Sequence, residues 1–494
     1  MRMKKKIKDL SLIALIVLSL VLVLQIWFQS SSLSYIGVGE QMNEYVLRPI
    51  MQWFGRGRNG TFSQNIRELM LPKKIVLNQS NQRAVLYSND DNYYRILQTA
   101  DDLLEGLMTG QAEIKSKESI SQEDYCAVLK GNSVYLDYGI DIDFRLLSVN
   151  ICGKEKNALS GDFTTVHEYI ISLEDNVLNN AVLYIKDYKS GNMLRYVVSE
   201  NKGELDGMLS NYFKNNDTES IFNYSFELNF HKQEGSDGAL SKLVFQPLIL
   251  FNLVASEGNV VETEPDALWG VDSTHVSGIL KAFQINPMTM NKYTDLTNSN
   301  IFVENKATLT ISPEGYLVYQ TIEGGQGLPL VDVKEKNSTD IYTAVSGAVS
   351  FLYTLNEEIP EIDPSDLRFC SNLTEGDTPG NYTIEFDLYV GGLPVLQSAL
   401  TDDSPSHAIT MVIENGCLKQ YRQFVRKYRV VQKKEKITPV INAVDGLMDQ
   451  LKPAKQNMTI VDAKKCYFDT RAENVLLPRW EIGVEGINSI LTVR

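Results

Sequence analysis

Ala307 to Gly315 reads ATLTISPEG and, 101 residues further on, Ala408 to Gly416 reads AITMVIENG. In each stretch apolar residues recur with a strand-like period and a Gly-containing turn follows, so a second strand begins at Tyr316 or Cys417. A helix comes after each hairpin. Ser338-Thr339-Asp340 opens the first with Ser or Thr as the expected N-cap, and Thr438 with Pro439 at the first helical position opens the second. Ile341, Ala344, Val345, Ala348 and Leu352 line one stripe; Val440, Ile441, Val444, Leu447, Met448 and Leu451 line the other. Two strand candidates follow in each case, Asp366 to Asn372 with Tyr382 to Val390, then Asp462 to Asp469 with Arg479 to Val484. The unit reads ββαββ twice, and ordered similarity of this kind predicts an internal duplication rather than a chance likeness of short apolar phrases. Gly327-Leu328-Pro329-Leu330 and Gly392-Leu393-Pro394-Val395 recur as a smaller phrase, expected to stop sheet pairing and turn the chain.

Upstream, strands are expected at Lys74 to Leu77, Gln82 to Tyr87, Cys126 to Leu129, Ser133 to Tyr138, Asp143 to Asn150, Ala181 to Asp187 and Met193 to Val198, the last two as a hairpin across Lys189-Ser190-Gly191-Asn192. A helix presents Ile96, Ala100, Leu103, Leu104 and Leu107 on one face. The fold class is therefore α+β, with an N-terminal α+β domain at 61–235, a central repeat domain at 236–358 and a C-terminal repeat domain at 359–494.

The other decisive stretch is Leu10 to Phe28, LSLIALIVLSLVLVLQIWF, in which only Ser11, Ser19 and Gln25 are polar. At 1.5 Å per residue it reaches about 28 Å, enough to span hydrocarbon as a transmembrane helix. Arg2, Lys4, Lys5, Lys6 and Lys8 precede it, so residues 1–9 form a cytoplasmic basic tail and residues 29–494 lie outside the membrane. A cleaved signal peptide is the competing reading, but the apolar run is longer than the usual signal core. Residues 29–60, with Gly55-Arg56-Gly57-Arg58-Asn59-Gly60, suit a linker. Removing the five basic tail residues and Asp9 from the totals of 47 basic and 62 acidic residues leaves 42 and 61 beyond the span, a net −19. An ectodomain so acidic repels phosphate backbones, which excludes nucleic acid as an expected partner.

Catalytic signatures are missing from the sequence. His167, His231, His275 and His407 have no metal-pair spacing, and His167-Glu168-Tyr169-Ile170-Ile171 fails the zinc-helix pattern at its last position. No nucleophile elbow or phosphate-binding loop occurs in a usable context. Asp141 and Asp143 share a strand face as a carboxylate pair would require, though solvated carboxylates explain them more simply. Asp90-Asp91-Asn92 reads as a turn, Asp101-Asp102 as helix surface and Trp480 as core. Cys126, Cys152, Cys370, Cys417 and Cys466 make no disulfide framework; one pair, Cys126 with Cys152, has the reach to bridge, and buried free thiols are the simpler expectation. No catalytic residue, cofactor or metal is therefore expected.

Taken together, KKKIKDLSLIALIVLSLVLVLQIWF at 4–28, ATLTISPEGYLVYQ at 307–320, GLPV at 392–395 and LLPRWEI at 476–482 resemble the YycH family of Gram-positive bacteria, the last phrase being similar to the related YycI proteins as well. The resemblance implies one membrane helix and a three-domain extracytoplasmic part whose last two domains are alike. It also implies a non-enzymatic regulator that binds the sensor histidine kinase of the WalRK (YycFG) two-component system upstream of cell-wall metabolism, in some members together with a YycI-like protein. That role depends on contacts between transmembrane helices, and Leu15, Ser19, Leu22 and Ile26 supply a face at 4-3-4 spacing, with Gln25 as a polar group able to hydrogen-bond across helices or to reach the headgroups. Homo-oligomerisation stays open. The rival readings are an anchored envelope enzyme with a site built from distant carboxylates, and an extracytoplasmic ligand sensor with a seam between domains.

Overall fold

The computed structural model describes residues 66–493 apart from 81, 174–179, 188, 216–221, 229–242, 253–254, 264–273, 305, 332–339, 359–362, 375–377, 398–406, 452–457 and 486–491. The basic tail, the apolar segment with Leu15, Ser19, Leu22, Gln25 and Ile26, the linker and His231 lie outside the described residues, as do the side chains of His275, Leu447, Met448 and Leu451. Among the described residues no helix is long and apolar enough to cross a membrane.

The first sheet begins with β1 (Lys74–Gln79) and β2 (Gln82–Leu86). It continues through α1 (Tyr93–Thr109), β3 (Ile114–Ser119), α2 (Gln122–Val128), β4 (Ser133–Asp143), α3 (Phe144–Cys152), β5 (Thr165–Ser172), β6 (Ala181–Lys186), β7 (Met193–Val198) and α4 (Gly203–Asn215). The strands pair antiparallel in the order β2-β1-β4-β5-β6-β7-β3. Helix α1 buries the expected stripe of Ile96, Ala100, Leu103, Leu104 and Leu107, and Gly110 ends it in the left-handed conformation.

Three local expectations are corrected here. Cys126 to Leu129 is not a strand, because Ser121 and Asp124 cap each other's backbone N–H groups and start α2 just upstream. Asp143 to Asn150 is helical too: the Asp143 carboxylate accepts from the Arg145 N–H, ends β4 and caps α3. Asp101 faces inward at 5% exposure, paired with Arg67 at 2.7 Å and accepting from the Tyr169 hydroxyl at 3.1 Å.

The rest of the chain contributes β8 (Ser256–Thr263), α5 (Thr274–Ala282), β9 (Asn291–Thr294), β10 (Asn300–Glu304), β11 (Ala307–Ile311), β12 (Tyr316–Thr321), α6 (Ile341–Asn356), β13 (Leu367–Phe369), β14 (Asn381–Val390), β15 (Leu393–Gln397), β16 (Ile409–Glu414), β17 (Cys417–Phe424), β18 (Tyr428–Ile437), α7 (Val440–Leu451), β19 (Met458–Asp469) and β20 (Pro478–Val484). The chain is thus a mixed α+β structure dominated by sheet. The large sheet runs β9-β10-β11-β12-β17-β16-β14-β15-β19-β20. Its hydrogen bonding takes in strands from residue 243 to residue 493, so the segments on either side of residue 358 share one sheet. The two hairpins that the sequence singles out, β11–β12 and β16–β17, join edge to edge, with Tyr319 opposite Tyr421. Phe283 of the segment after α5 packs on both tyrosine rings.

Two further expectations change. The cap of α6 is Asp340, whose carboxylate accepts from the Thr343 N–H at 2.7 Å, in place of Ser or Thr. The Gly392-Leu393-Pro394-Val395 phrase opens a strand instead of stopping one: Gly392 turns at φ 83°, and β15 then pairs antiparallel with β14 and parallel with β19. The parallel register starts only at Val395, so the missing N–H of Pro394 falls before the doubly paired part.

Two buried polar features lock the sheets. Arg426 and Asp469, 4% and 0% exposed at their side chains, meet through one guanidinium nitrogen at 2.6 and 2.7 Å, while the Tyr428 hydroxyl and the Arg471 N–H also donate to Asp469. The first sheet touches the large one where Asp143 N–H donates to Leu373 O at 2.8 Å and Leu373 N–H donates to Asp141 O at 2.7 Å. All five cysteines are free, so the Cys126–Cys152 pair does not form.

Candidate functional site

Charged side chains from both sheets wall one cleft. Its volume is about 520 Å³. Lys74, Asp137, His167, Glu168 and Lys186 line one side, from β1, β4, β5 and β6. Tyr389, Gly392, Asp462, Lys464, Lys465 and Trp480 line the other, from β14, the β14–β15 turn, β19 and β20.

Most of these charges are already answered. Lys74 pairs with Asp137 at 3.0 Å and Lys464 with Glu481 at 3.0 Å. Burial drives the Asp137 carboxyl toward neutrality, but Lys74, His167 and the Gly139 N–H outweigh it and hold the group below its ordinary range. Glu168 goes the other way: burial, with the Asp137 charge beside it, raises its pKa, and the Tyr135 hydroxyl donates to it at 2.6 Å. Burial lowers Lys465 to about 8, with its ammonium 5.7 Å from the centre of the Trp480 ring. Trp480 is 3% exposed and donates its indole N–H to Thr438 O, which makes it core and cleft wall at once.

Each of the two described histidine rings sits between carboxylates. His167 Nδ1 is 2.9 Å from Asp141 and Nε2 is 3.7 Å from Asp137. His407 Nδ1 is 2.8 Å from Asp387 and Nε2 is 3.6 Å from Glu385. Burial lowers both imidazole pKa values, yet the carboxylates prevail and both end above the ordinary histidine range. Asp141 is thus neither free in solvent nor paired with Asp143, which instead caps α3 and meets Arg145 at 3.1 Å.

Cys370 completes the second cluster, its Sγ 3.2 Å from His407 Nδ1. The trio contains the residue types of a cysteine nucleophile, a base and an orienting carboxylate, but the geometry differs. Sulfur and carboxylate share one ring nitrogen, whereas a triad divides them between the two. Burial, reinforced by Asp387, also pushes the Cys370 thiol well above its ordinary value, the reverse of an activated thiolate. Cys370, Asp387 and His407 form one set able to hold a metal ion, and Asp137, His167 and Glu168 form another. Sequence reasoning missed both sets because the first draws on positions 370, 387 and 407 and the second joins β4 to β5, whereas spacing tests find only ligands supplied by one helix or one loop.

No family model and no curated protein matches the chain. Among solved structures, YycH from Bacillus subtilis has the same fold, with a TM-score of 0.56 at 13% identity over 86% of this chain and 96% of that one.

Proposed function

We propose that the protein is a non-enzymatic accessory regulator, anchored by residues 10–28, that binds a sensor histidine kinase of a two-component system and biases its signalling state, with effects on cell-wall metabolism. The observation that carries this reading is the fold shared with YycH over nearly the whole of both chains. The nucleophile-incompetent arrangement of Cys370, His407 and Asp387 favours it over the envelope-enzyme alternative. In this reading residues 61–235, 236–358 and 359–494 are the three extracytoplasmic parts, and a YycI-like protein is a candidate companion.

A regulator of this kind acts by binding one kinase state better than the other. The proposed contact is the helix face of Leu15, Ser19, Leu22 and Ile26 with Gln25, where a cross-helix hydrogen bond contributes on the order of 1 kcal/mol. Copurification of the full-length chain from its native membrane in mild detergent should recover a sensor histidine kinase, and a chain lacking residues 1–28 should not. Replacing Leu15, Ser19 and Leu22 with bulky or charged residues should abolish two-hybrid pairing while the helix still inserts. Retained pairing would sink the helix-face assignment, and recovery of wall-synthesis enzymes without a kinase would sink the regulatory reading. The cleft of about 520 Å³ supports a second reading, an extracytoplasmic ligand sensor, for which a soluble wall fragment should raise the melting temperature.

A further inference from the structure

We infer that Cys370, Asp387 and His407 form a binding site for a borderline-soft divalent transition-metal ion of the zinc class. Three different donors converge: Sγ from the residue after β13, a carboxylate from the middle of β14 and an imidazole from the residue that leads toward β16. The Cys370–His407 and His407–Asp387 separations are 3.2 and 2.8 Å, and all three donor atoms lie within 4.8 Å of one another. Around tetrahedral zinc, with bonds of about 2.0–2.3 Å, neighbouring donors stand roughly 3.3–3.6 Å apart. Loading the site therefore asks the side chains to open by about half an ångström, within the reach of rotamer adjustment.

The other ring nitrogen supplies the second argument. His407 Nε2 faces Glu385 at 3.6 Å while Nδ1 faces the other two donors. Metal-bound histidines commonly offer their remaining N–H to a carboxylate, which fixes the ring and strengthens the ligand. Glu385 and Asp387 sit two apart on β14, so one strand presents both the ligand and the orienting group on one face. Thr410 in turn donates to Glu385 at 3.4 Å.

Charge also closes. A thiolate, a carboxylate and a neutral imidazole together neutralise a divalent ion, so the lysines near the cluster, Lys73 and Lys464, do not face a net cation. Sulfur and nitrogen donors select zinc, cobalt or nickel over magnesium or calcium, which require oxygen shells. Three protein ligands leave one position for water or an outside donor. The Asp137, His167 and Glu168 set is the weaker candidate, because the Lys74 ammonium already lies 3.0 Å from Asp137.

The test uses untagged full-length protein dialysed against Zn²⁺ or Co²⁺ in mild detergent. The expected result is one zinc per chain by elemental analysis and, with Co²⁺, a near-ultraviolet thiolate charge-transfer band. Cys370→Ser should remove that band, His407→Gln should cut zinc occupancy at least tenfold, and Glu385→Gln should weaken affinity on the order of 10- to 100-fold. Asp137→Asn should leave all three readouts unchanged. A circular dichroism melt of each variant separates lost binding from lost folding. Substoichiometric zinc in the wild type, a cobalt complex without sulfur ligation, or loss of binding in Asp137→Asn but not in Cys370→Ser would each overturn the assignment.

Discussion

Asp469→Asn isolates the buried ion pair that ties β19 to the segment between β17 and β18. The substitution keeps volume but removes the charge that Arg426 meets at 2.6 and 2.7 Å, and it turns one acceptor into a donor facing other donors. Arg426 is 4% exposed at its side chain, so water cannot take over. Its second guanidinium nitrogen donates to the Thr263 hydroxyl at 3.0 Å. Breaking a buried pair by removing one member costs about 3–5 kcal/mol, because the opposite charge that offset the desolvation of the other is lost. The unit spanning residues 63–494 has an unfolding entropy of about 0.9 kcal/mol/K, taking roughly 2.1 cal/mol/K per residue. The melting temperature should therefore fall by about 3–5 °C by circular dichroism. Glu262→Gln provides the control, since it removes a partner from the exposed Arg429 pair, whose side chains are 66% and 42% accessible, and should move the melt by less than about 1 °C. Combining Arg426→Met with Asp469→Leu should recover part of the loss, because apolar replacement of both members avoids a stranded charge while the Tyr428 hydroxyl and the Arg471 N–H lose their acceptor. The reasoning fails if Asp469→Asn melts within 1 °C of Glu262→Gln.

The raised imidazoles of His167 and His407 favour their protonated forms in the fold, so their stabilisation is complete below the unfolded value of about 6.5 and is lost as pH rises through the higher folded values. A pH series of melts should show wild type losing more stability above pH 6.5 than the double variant His167→Gln/His407→Gln; parallel curves would refute this. Glu168→Gln should leave the neutral-pH melt unchanged or raise it, since burial already disfavours the charge there and glutamine can still accept from Tyr135; a drop above 3 °C would count against the raised pKa. Gly315→Ala should destabilise more than Gly191→Ala in urea titrations. Both glycines have positive φ, but a Cβ at 315 would stand 2.4 Å from Val425 O whereas nothing lies within 4 Å at 191, and equal costs would show that conformation alone decides.

The hairpins at 307–321 and 409–424 were readable because alternation and a turn glycine are local signals, and their strands satisfy each other at the Tyr319–Tyr421 register. Capping chemistry misled where it competed with apolar runs. The stretch after Asp143 looks like a strand until Arg145 N–H is seen to use the Asp143 carboxylate, and Cys126 looks like a strand residue until the Ser121–Asp124 box starts a helix. Asp101 looks like helix surface in the sequence because its partner, Arg67, stands 34 positions away. The candidate site was hidden for the same reason at longer range. Cys370 and His407 are 37 residues apart, and only the β14 pairings with β13 and β16 bring them to one carboxylate. The adjacency of Glu385 and Asp387 with one residue between them was the sole local trace, and alternating carboxylates on an exposed strand look the same.

The position of the metal-binding trio relates it to the regulatory reading through the seam between the sheets. Leu373 is three residues from Cys370 and carries both backbone hydrogen bonds to β4, at Asp141 and Asp143. Asn372 adds a third contact by accepting from the Asp141 N–H at 2.9 Å, and Asp141 in turn orients His167 in the cleft. Cys370 thus stands within three residues of the contact with the strand end that positions the other histidine. The thiol is held only by side-chain contact, whereas Cys370 N–H donates to Glu385 O, so the backbone is anchored to the same strand that supplies Asp387. A ligand taken up by the trio is expected to change what the seam costs to open. Only such a difference between two arrangements lets a binding event bias a partner, because a ligand with equal affinity for both shifts nothing. The seam contact that the Asn372 side chain makes, removed by Asn372→Ala, should then alter the zinc-induced gain in melting temperature more than it alters zinc affinity for the trio itself. Equal changes in both would place the coupling inside the site and not across the seam.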